Sequence, residues 1–295
     1  MNNQSLAIAK FHALHESGCF VLPNPWDPGS AIYLEHLGFK ALATTSAGFA
    51  FSRGLADGFT SVPRELVLAH FREIAAATSL PVNADFQNGY ADEPEDVARN
   101  VALCIATGVA GLSIEDSTGN KAFPLYDLDL AIERIKAART AIDAKSEPPA
   151  LAGGSRSQSD PSKPAVVLTA RCEAWLVGDP DPHRTSLDRL AAFADAGADC
   201  LYAPGVGKPD EIAAIVKAVS PKPVNILVSK FNRDLSLSQL TDLGVRRISV
   251  GSALACVAWG GFIGAAKEIQ ETGSFTAFAR AATFGELNEL FLSRS

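Results

Sequence analysis

The sequence predicts a single (β/α)8 barrel, and three observations support this prediction. Eight short runs of β-forming residues alternate with longer helical patterns along the 295 residues. Several helical patterns end in a glycine just before the next strand, as at Gly108 and Gly197, and glycine readily adopts the left-handed conformation that ends a helix. A strand followed by a helix, repeated eight times, implies parallel strands with right-handed crossovers, which close into a barrel.

The predicted strands are Phe20–Pro23, Ala41–Thr45, Val82–Phe86, Gly111–Glu115, Val166–Arg171, Cys200–Ala203, Val224–Val228 and Arg247–Gly251. Helical patterns between them include Arg64–Ala77, Glu95–Thr107, Asp129–Ala144, Arg184–Ala196 and Asp210–Val219. An open doubly wound sheet is the alternative, but the G-x-G-x-x-G pattern that usually follows its first strand is absent. Barrels often reach this length as one domain, so we expect a single domain over residues 1–295.

Two segments depart from the strand–helix rhythm. Ser146–Pro164 is rich in Ser, Pro and Gly and is predicted to be an extended loop before the fifth strand. The C-terminal extension, residues 253–295, carries two apolar helical patterns, Ala253–Ile269 and Phe275–Phe291. A barrel needs only one helix after its last strand, so the surplus apolar surface predicts subunit contact in a homo-oligomer, a dimer or a tetramer.

Composition limits the class of partner and the compartment. The net charge is −7, and no basic block indicates a nucleic-acid partner. No apolar run is long enough to cross a bilayer, and the N-terminus lacks a secretory signal pattern, so no membrane partner is expected. The five cysteines are scattered and form no Cys-x-x-Cys pair, which favours a reducing, cytoplasmic location.

Polar side chains collect at the carboxyl ends of the second to fifth predicted strands, the face on which barrels carry their active sites. The candidates are Ser46 and Gly48, Asp57 in the following loop, Asn83 and Asp85, Glu115 and Asp116, and Arg171 and Glu173. Asn83 and Asp85 are two residues apart on one strand, so they point to the same side.

Buried together, Asp57, Asp85 and Glu115 would repel one another, and a bound Mg²⁺, or Mn²⁺ in its place, would compensate their charge. Arg171 adds a planar fork suited to a substrate carboxylate or phosphonate. Structural interpretations remain open: Asp116 or Asp92 could cap a helix, and Arg171 could simply neutralise a buried acid. Lys230 could instead form a Schiff base, as in a metal-free aldolase.

Five segments together resemble the isocitrate lyase/phosphoenolpyruvate mutase superfamily, on its phosphoenolpyruvate mutase-like side. They are Pro23-Asn24-Pro25-Trp26-Asp27-Pro28-Gly29-Ser30-Ala31, Ala41–Gly48, Asn83–Tyr90, Gly111–Asp116 and Thr169–Ala174. The resemblance covers roughly residues 18 to 265 and implies a Mg²⁺-dependent barrel. It also implies an enzyme, a lyase or phosphonomutase, that cleaves or forms a C–C or P–C bond beside the keto group of a small α-keto acid, through an enolpyruvate intermediate.

The resemblance also assigns expected roles to residues. Ser46 and the backbone around Gly48 match the substrate-oxyanion cradle, with Asn83 as a further substrate contact. Asp57, Asp85 and Glu115 match the acids around the metal, with Asn83 as an auxiliary ligand. Asp57, Glu115 and Arg171 are the expected catalytic groups, and Arg171 also matches the substrate-anion arginine. The C-terminal helices are compatible with the exchange of the last barrel helix between subunits seen in the family.

Three positions depart from the family pattern. Asn83 stands where the family usually has the first acid of Asp-Ala-Asp, which should weaken metal binding. The loop 117–126, the expected lid, lacks the catalytic cysteine of the isocitrate and methylisocitrate lyases, and Pro204 replaces a glutamate of those lyases. Asn120 and Lys121 occur in neither the order nor the spacing of the mutase lid. Decarboxylation of oxaloacetate or a related retro-aldol cleavage is therefore favoured over phosphonomutation, and a non-catalytic α-keto acid-binding barrel is the alternative.

Overall fold

The computed structural model describes residues 3–146 and 164–292 and confirms the predicted barrel. Its eight strands are β1 (Phe20–Leu22), β2 (Leu42–Ala43), β3 (Val82–Asp85), β4 (Gly111–Glu115), β5 (Val167–Arg171), β6 (Cys200–Tyr202), β7 (Val224–Leu227) and β8 (Arg247–Ser249). Each paired strand is parallel to its neighbour, and β1 pairs with β8. A hydrogen bond from the Ala43 amide to the Pro23 carbonyl (3.0 Å) links β2 to the end of β1. The sheet is therefore a nearly closed barrel.

Helices separate the strands around the barrel. They are α1 (Asn3–Glu16), α2 (Pro28–His36), α3 (Ser46–Ser52), α4 (Arg64–Ala77), α5 (Pro94–Ile105), α6 (Leu128–Ser146), α7 (Ala174–Val177), α8 (Pro182–Asp195), α9 (Pro209–Val219), α10 (Leu237–Asp242), α11 (Ala253–Thr272) and α12 (Phe284–Leu292), with a 3₁₀ helix at Thr276–Arg280. Most of the predicted loop Ser146–Pro164 lies outside the described residues. Among the described helices, none is long and apolar enough to cross a membrane.

Local sequence signals set where these helices begin and end. Helix α2 starts with a reciprocal capping box: the Asp27 side chain accepts a hydrogen bond from the Ser30 amide (2.6 Å), and the Ser30 side chain accepts one from the Asp27 amide. Pro28 occupies the first turn of the helix, where its missing N–H costs nothing. Gly197 follows α8 with φ +104°, a conformation that favours glycine and turns the chain into β6. These signals are local, which is why the sequence alone locates the helices well.

The N-terminal helix α1 covers the amino end of the barrel. His12 Nε2 lies 2.6 Å from the Ala165 carbonyl just before β5, and Gln4 Nε2 donates to the Val109 carbonyl (3.0 Å) just before β4. Phe11 is fully buried beneath the strands. Helix α1 therefore closes the end of the barrel opposite the expected active-site face.

The barrel has an apolar outer layer and a polar interior. On β4, Leu112 and Ile114 are buried in the hydrophobic core, whereas Ser113 between them lines the central cavity. This alternation follows from the period of two along a strand. Barrel interiors are more often filled by branched apolar side chains, so the polar residues at the centre of this barrel are unusual.

The C-terminal helices leave a large apolar surface exposed. Val257 is 73% exposed, Phe262 is 63% exposed and Phe284 is 84% exposed. Trp259 and Phe262 also line an open groove with Trp26, which follows β1. The structure therefore agrees with the predicted surplus of apolar surface after the last strand, and exchange of these helices between subunits stays a prediction.

Candidate active site

A cavity of about 140 Å³ opens at the carboxyl ends of the strands and extends into the barrel. All eight strands contribute to its walls, which include the predicted residues Ser46, Asn83, Asp85 and Arg171. Strand β4 contributes Ser113, whereas Glu115 at its end is not among the lining residues. The remaining lining residues are Leu22, Asn24, Ala43, Thr44, Thr45, Ala47, Ser113, Tyr202, Asn225, Leu227, Arg247, Ser249, Gly251 and Ser252. This volume suits a molecule of a few carbon atoms, because a water molecule occupies about 30 Å³ in the liquid.

Arg171 and Asp85 form the centre of the site. Arg171 Nη1 lies 2.7 Å from Asp85 Oδ1, and its guanidinium lies 5.0 Å from the centre of the Tyr202 ring. Asp85 Oδ2 accepts a hydrogen bond from the Ser46 amide at the start of α3 (2.9 Å), and the Asp85 amide donates to Thr44 Oγ1 (2.8 Å). The Asp85 carboxylate at the end of β3 is thus held by Arg171 at the end of β5 and by the Ser46 amide that follows β2.

Two further carboxylates contact the same guanidinium. Glu115 Oε2 lies 3.1 Å from Arg171 Nη2, and Glu173 Oε1 lies 2.8 Å from it. The register places Glu115 directly beside Arg171 on β5. Burial raises the pKa of Glu115 well above its ordinary value despite the opposing charge of Arg171, and burial also raises the pKa of Glu173. Three carboxylates, those of Asp85, Glu115 and Glu173, therefore share the one guanidinium of Arg171.

Asp57 extends this acidic cluster from the loop after α3. It lines a small side pocket with Ser46, Asp85 and Gln87, and Gln87 Nε2 lies 3.5 Å from Asp57 Oδ1. Burial, and next the charge of Asp85, raise the pKa of Asp57, whereas a hydrogen bond from the Ser46 side chain lowers it. Asp57 is therefore poised to hold a proton more readily than an exposed aspartate.

Gly48 lies behind the cavity wall. Its amide donates to Thr45 Oγ1 (3.2 Å), and a Cβ atom at this position would lie 2.6 Å from Thr45 Cγ2 and 3.2 Å from the Cβ atoms of both Trp26 and Ala255. Its neighbour Ala47 lines the cavity instead. The structure thus gives Gly48 a packing role that lets α3 approach α11 closely.

Asn83 projects into the barrel below Asp85 and is only 3% exposed. Its Nδ2 makes one long contact to the Ala84 carbonyl (3.3 Å), and its Oδ1 has no hydrogen-bond partner. A buried amide with an unpaired oxygen is unfavourable unless a ligand or water completes it. Asn83 therefore faces space that a ligand group can occupy.

The donor set fits a hard divalent cation. Asp57, Asp85, Glu115 and Glu173 outnumber the one guanidinium among them, and the buried Gln87 Oε1 beside Asp57 has no partner. All these donors are oxygens, as Mg²⁺ prefers. Within residues 3–146 and 164–292, no three His, Cys, Asp or Glu side chains are close enough to hold a metal by themselves. Such a site suits an ion that keeps several waters and takes one or two direct carboxylates.

The predicted lid is a short hairpin above the site. Ser117 pairs with Leu125 in an antiparallel bridge, and the Thr118 amide donates to the Pro124 carbonyl (3.0 Å). At its tip, Gly119 has φ +74° and packs so closely on Phe59 that a Cβ would lie 2.4 Å from the ring. The hairpin therefore contacts the loop that carries Asp57.

The structure shows the contacts of Asp116, Asp92 and Lys230, the residues for which the sequence left other roles open. Asp116 Oδ1 accepts from the Glu173 amide before α7 (2.8 Å), and Asp116 Oδ2 pairs with Arg189 (3.1 Å), so this residue is tied to the structure behind the site. Asp92 accepts from the Tyr126 hydroxyl. Lys230 is exposed, and its ammonium lies 5.0 Å from the centre of the Phe231 ring. Lys230 is not among the residues that line the cavity.

Sequence reasoning missed the residues on the cavity floor. Tyr202, Asn225 and Arg247 line the cavity from β6, β7 and β8. Attention to strand ends alone could not find Arg247, because it is the first residue of its strand. The signal that would have found it is the alternation of Arg247 with Ser249, two polar residues at the same spacing as Asn83 and Asp85.

Comparisons with known proteins show which family the chain resembles. A model of the family described as phosphoenolpyruvate phosphomutase matches residues 11–153 and 150–270. The chain is 33% identical to an uncharacterized protein of Mycobacterium tuberculosis, over 82% of this chain and 81% of that protein. It is 30% identical to oxaloacetate decarboxylase of Rhodopseudomonas palustris, over 50% of this chain and 45% of that enzyme. A solved structure from Burkholderia cenocepacia, described as a candidate lyase/mutase, has 42% identity and a TM-score of 0.89, covering 99% of this chain and 97% of that one.

Proposed function

Because the chain belongs to the phosphoenolpyruvate phosphomutase family, within the isocitrate lyase/phosphoenolpyruvate mutase superfamily, we propose that it is a Mg²⁺-dependent lyase. Its substrate would be a small α-keto acid, and it would cleave the bond between C3, the carbon next to the keto group, and the substituent that C3 carries. Oxaloacetate is the leading candidate, and the enolate of pyruvate would be the intermediate. The similarity to an oxaloacetate decarboxylase supports this choice.

One observation carries the proposal: several buried carboxylates surround a single guanidinium at the open end of a small polar cavity. Asp85 and Glu115 pair with Arg171, and Asp57 lies next to Asp85. An arrangement with surplus negative charge is unfavourable by itself. It becomes favourable when a dication and an anionic substrate bind together, which is the requirement for enolate chemistry.

In the proposed reaction, the bond between C3 and the departing carboxylate of oxaloacetate breaks, and its electron pair becomes the enolate of pyruvate as CO₂ leaves. Bound Mg²⁺ would supply positive charge to the enolate oxygen. Asp85 and Asp57, with Gln87, are the residues placed to hold the ion and its waters. Asp57, which lines the side pocket with Asp85 and Ser46, would return a proton to C3 and give pyruvate. Arg171 keeps Asp85 in place.

The loop 117–126 favours decarboxylation over cleavage of methylisocitrate. It carries no cysteine. The isocitrate and methylisocitrate lyases, which the sequence resembles, have their catalytic cysteine in the corresponding loop. Its hairpin nevertheless contacts Phe59, so we propose that it still covers the site and excludes water during the reaction.

The test is a screen of α-keto acids with purified protein, with Mg²⁺, with Mn²⁺ and with EDTA. We expect pyruvate and CO₂ from oxaloacetate above the metal-catalysed background, and loss of turnover with EDTA. Asp85→Asn should abolish turnover, whereas Asp188→Asn, on the exposed face of α8, should leave it unchanged. Turnover that is absent for every α-keto acid, or that persists in EDTA, would count against the proposal.

A second candidate is a non-catalytic α-keto acid-binding barrel, favoured by the amide at Asn83. Calorimetry separates the two candidates. Micromolar binding of oxalate in Mg²⁺, without turnover of any α-keto acid, would favour the binding protein.

We also propose that the exposed apolar face of α11 and α12 is covered by a second copy of the chain. Val257, Phe262 and Phe284 are exposed, and contiguous apolar patches of this kind usually mark interfaces. The groove beside Trp26 lies next to α3, which carries Ser46. A dimer or tetramer would therefore also support one wall of the site.

The cysteines support a reducing compartment. All five are unpaired thiols, and three of them are buried. We therefore propose the cytoplasm as the location of the protein.

A further inference from the structure

Two cations line the cavity, and they differ in what already holds them. Arg171, near the mouth, uses Nη1 on Asp85, Nη2 on Glu115 and Glu173, and Nε on Glu173. Every nitrogen of this guanidinium faces a carboxylate. A substrate carboxylate arriving at Arg171 would have to displace one of those acids.

Arg247 lies on the cavity floor and is paired only with neutral groups. It is 2% exposed, its Nε donates to Asn225 Oδ1 (2.9 Å) and its Nη2 donates to Thr169 Oγ1 (2.9 Å). Among the described residues it forms no ion pair with a carboxylate, unlike Arg171. A buried cation without a counter-charge is strongly unfavourable, so its position calls for an anion.

The third partner of Arg247 is also neutral. His15 Nδ1 lies 2.7 Å from the Phe11 carbonyl, so it donates there and leaves Nε2 to accept from Arg247 Nη1 (3.4 Å). Burial, and next the charge of Arg247, lower the pKa of His15 to about 3. These contacts use three of the five N–H groups of the guanidinium, which leaves donors for a ligand.

A second donor faces the same space. The Asn83 side chain lines the cavity, and its amide has only the long contact to the Ala84 carbonyl (3.3 Å). Asn225 completes the floor by donating to Ser249 Oγ (2.9 Å) while it orients Arg247. The floor therefore combines one positive charge with neutral amides and hydroxyls, which is the composition of a carboxylate site.

We propose that Arg247 binds the carboxylate of the α-keto acid that survives the reaction, so that the pyruvyl unit points into the barrel. The inference rests on the proposed function for the identity of the ligand. A cation on the departing carboxylate would stabilise charge that must leave as CO₂, so the buried guanidinium suits only the carboxylate that remains. The breaking bond then lies toward Ser46, Asp85 and the mouth, where the acids are.

Calorimetry with pyruvate in Mg²⁺ tests this assignment, because pyruvate carries only the surviving carboxylate. A hydrogen bond to a charged group contributes about 1.5–3 kcal/mol, so Arg247→Gln should weaken pyruvate binding roughly 10- to 100-fold. Arg247→Lys keeps the charge but loses the fork and should give an intermediate loss. Arg246→Gln is the matched control, because this neighbouring arginine donates to the Gly18 carbonyl outside the cavity, and it should leave binding unchanged.

A crystal structure of the wild-type protein with pyruvate decides the question even if the variants fail to fold. A carboxylate on Arg247 supports the inference, and a carboxylate on Arg171 overturns it. Unchanged pyruvate affinity in folded Arg247→Gln, or no pyruvate binding by the wild type, also overturns it. If the protein turns over oxaloacetate but Arg247→Gln binds pyruvate as tightly as the wild type, this inference is wrong and the proposed function stands. If pyruvate binds at Arg247 but no α-keto acid is turned over, the proposed function is wrong and this inference stands.

Discussion

Arg171→Met is expected to destabilise the fold in a pH-dependent manner. Among the described residues, Arg171 is the only cation that forms ion pairs with Asp85, Glu115 and Glu173, and the substitution removes it. The side chains of these three acids are 17%, 10% and 6% exposed, in that order. Removing one partner of a buried ion pair costs about 3–5 kcal/mol. Total stabilities are about 5–15 kcal/mol, so the loss near neutral pH should be a large part of the whole.

The pH dependence follows from the two glutamates. Burial already raises the pKa of Glu115 and Glu173 in the folded protein, and Arg171 opposes that rise. Without Arg171 their folded-state pKa values rise further, so the folded state binds more protons than the unfolded state. Stability is then retained below the unfolded pKa, near 4.3, and falls as pH rises toward the folded pKa, by about 1.4 kcal/mol per pH unit for each group.

Urea denaturation of metal-free protein at pH 5 and pH 8 measures this effect. The difference in free energy of unfolding between wild type and Arg171→Met should be small at pH 5 and several kcal/mol at pH 8. Arg184→Met is the control, because its pair with Asp188 is exposed and contributes less than about 1 kcal/mol. A loss for Arg171→Met below about 1 kcal/mol, or an equal loss at both pH values, would refute the account of the cluster.

Three further outcomes are expected. Asn83→Asp should tighten Mg²⁺ binding roughly tenfold by calorimetry, whereas Asn120→Asp on the exposed hairpin should not; equal effects would remove Asn83 from the metal site. Gly48→Ala should lower the free energy of unfolding by about 1–3 kcal/mol, because its Cβ would lie 2.6 Å from Thr45 Cγ2; wild-type stability would contradict the packing role. Phe262→Glu should shift the proposed oligomer toward the monomer in light scattering, and an unchanged mass would exclude this face as the interface.

Much of the fold could be predicted from the sequence because its signals are local. The helix Arg64–Ala77 and the strand Gly111–Glu115 have the predicted bounds. Strand β2 is shorter than predicted, Leu42–Ala43 rather than Ala41–Thr45, because Thr45 serves as the N-cap of α3, where its side chain accepts from the Gly48 amide. Capping chemistry outweighed β-propensity at that position.

The mouth of the site could be predicted for a different reason. The carboxyl ends of parallel strands meet at one face, so Asp85, Glu115 and Arg171 had to converge once the barrel was inferred. Their contacts could not be predicted, because the sequence does not show whether a guanidinium is already saturated by acids. Three carboxylates hold Arg171, and its role in binding a substrate anion stays a prediction.

The floor of the cavity shows why a rule about strand ends is incomplete. Arg247 begins β8, yet it reaches the same cavity as Asp85, because the strands are tilted and their register is staggered around the barrel. Helix α1 adds His15 from the other end of the chain. Such a site depends on contacts more than 200 residues apart in sequence, which no local pattern encodes. In a barrel with a polar interior, a buried cation facing only neutral partners therefore points to ligand recognition more specifically than an acid at a strand end, which has structural uses as well.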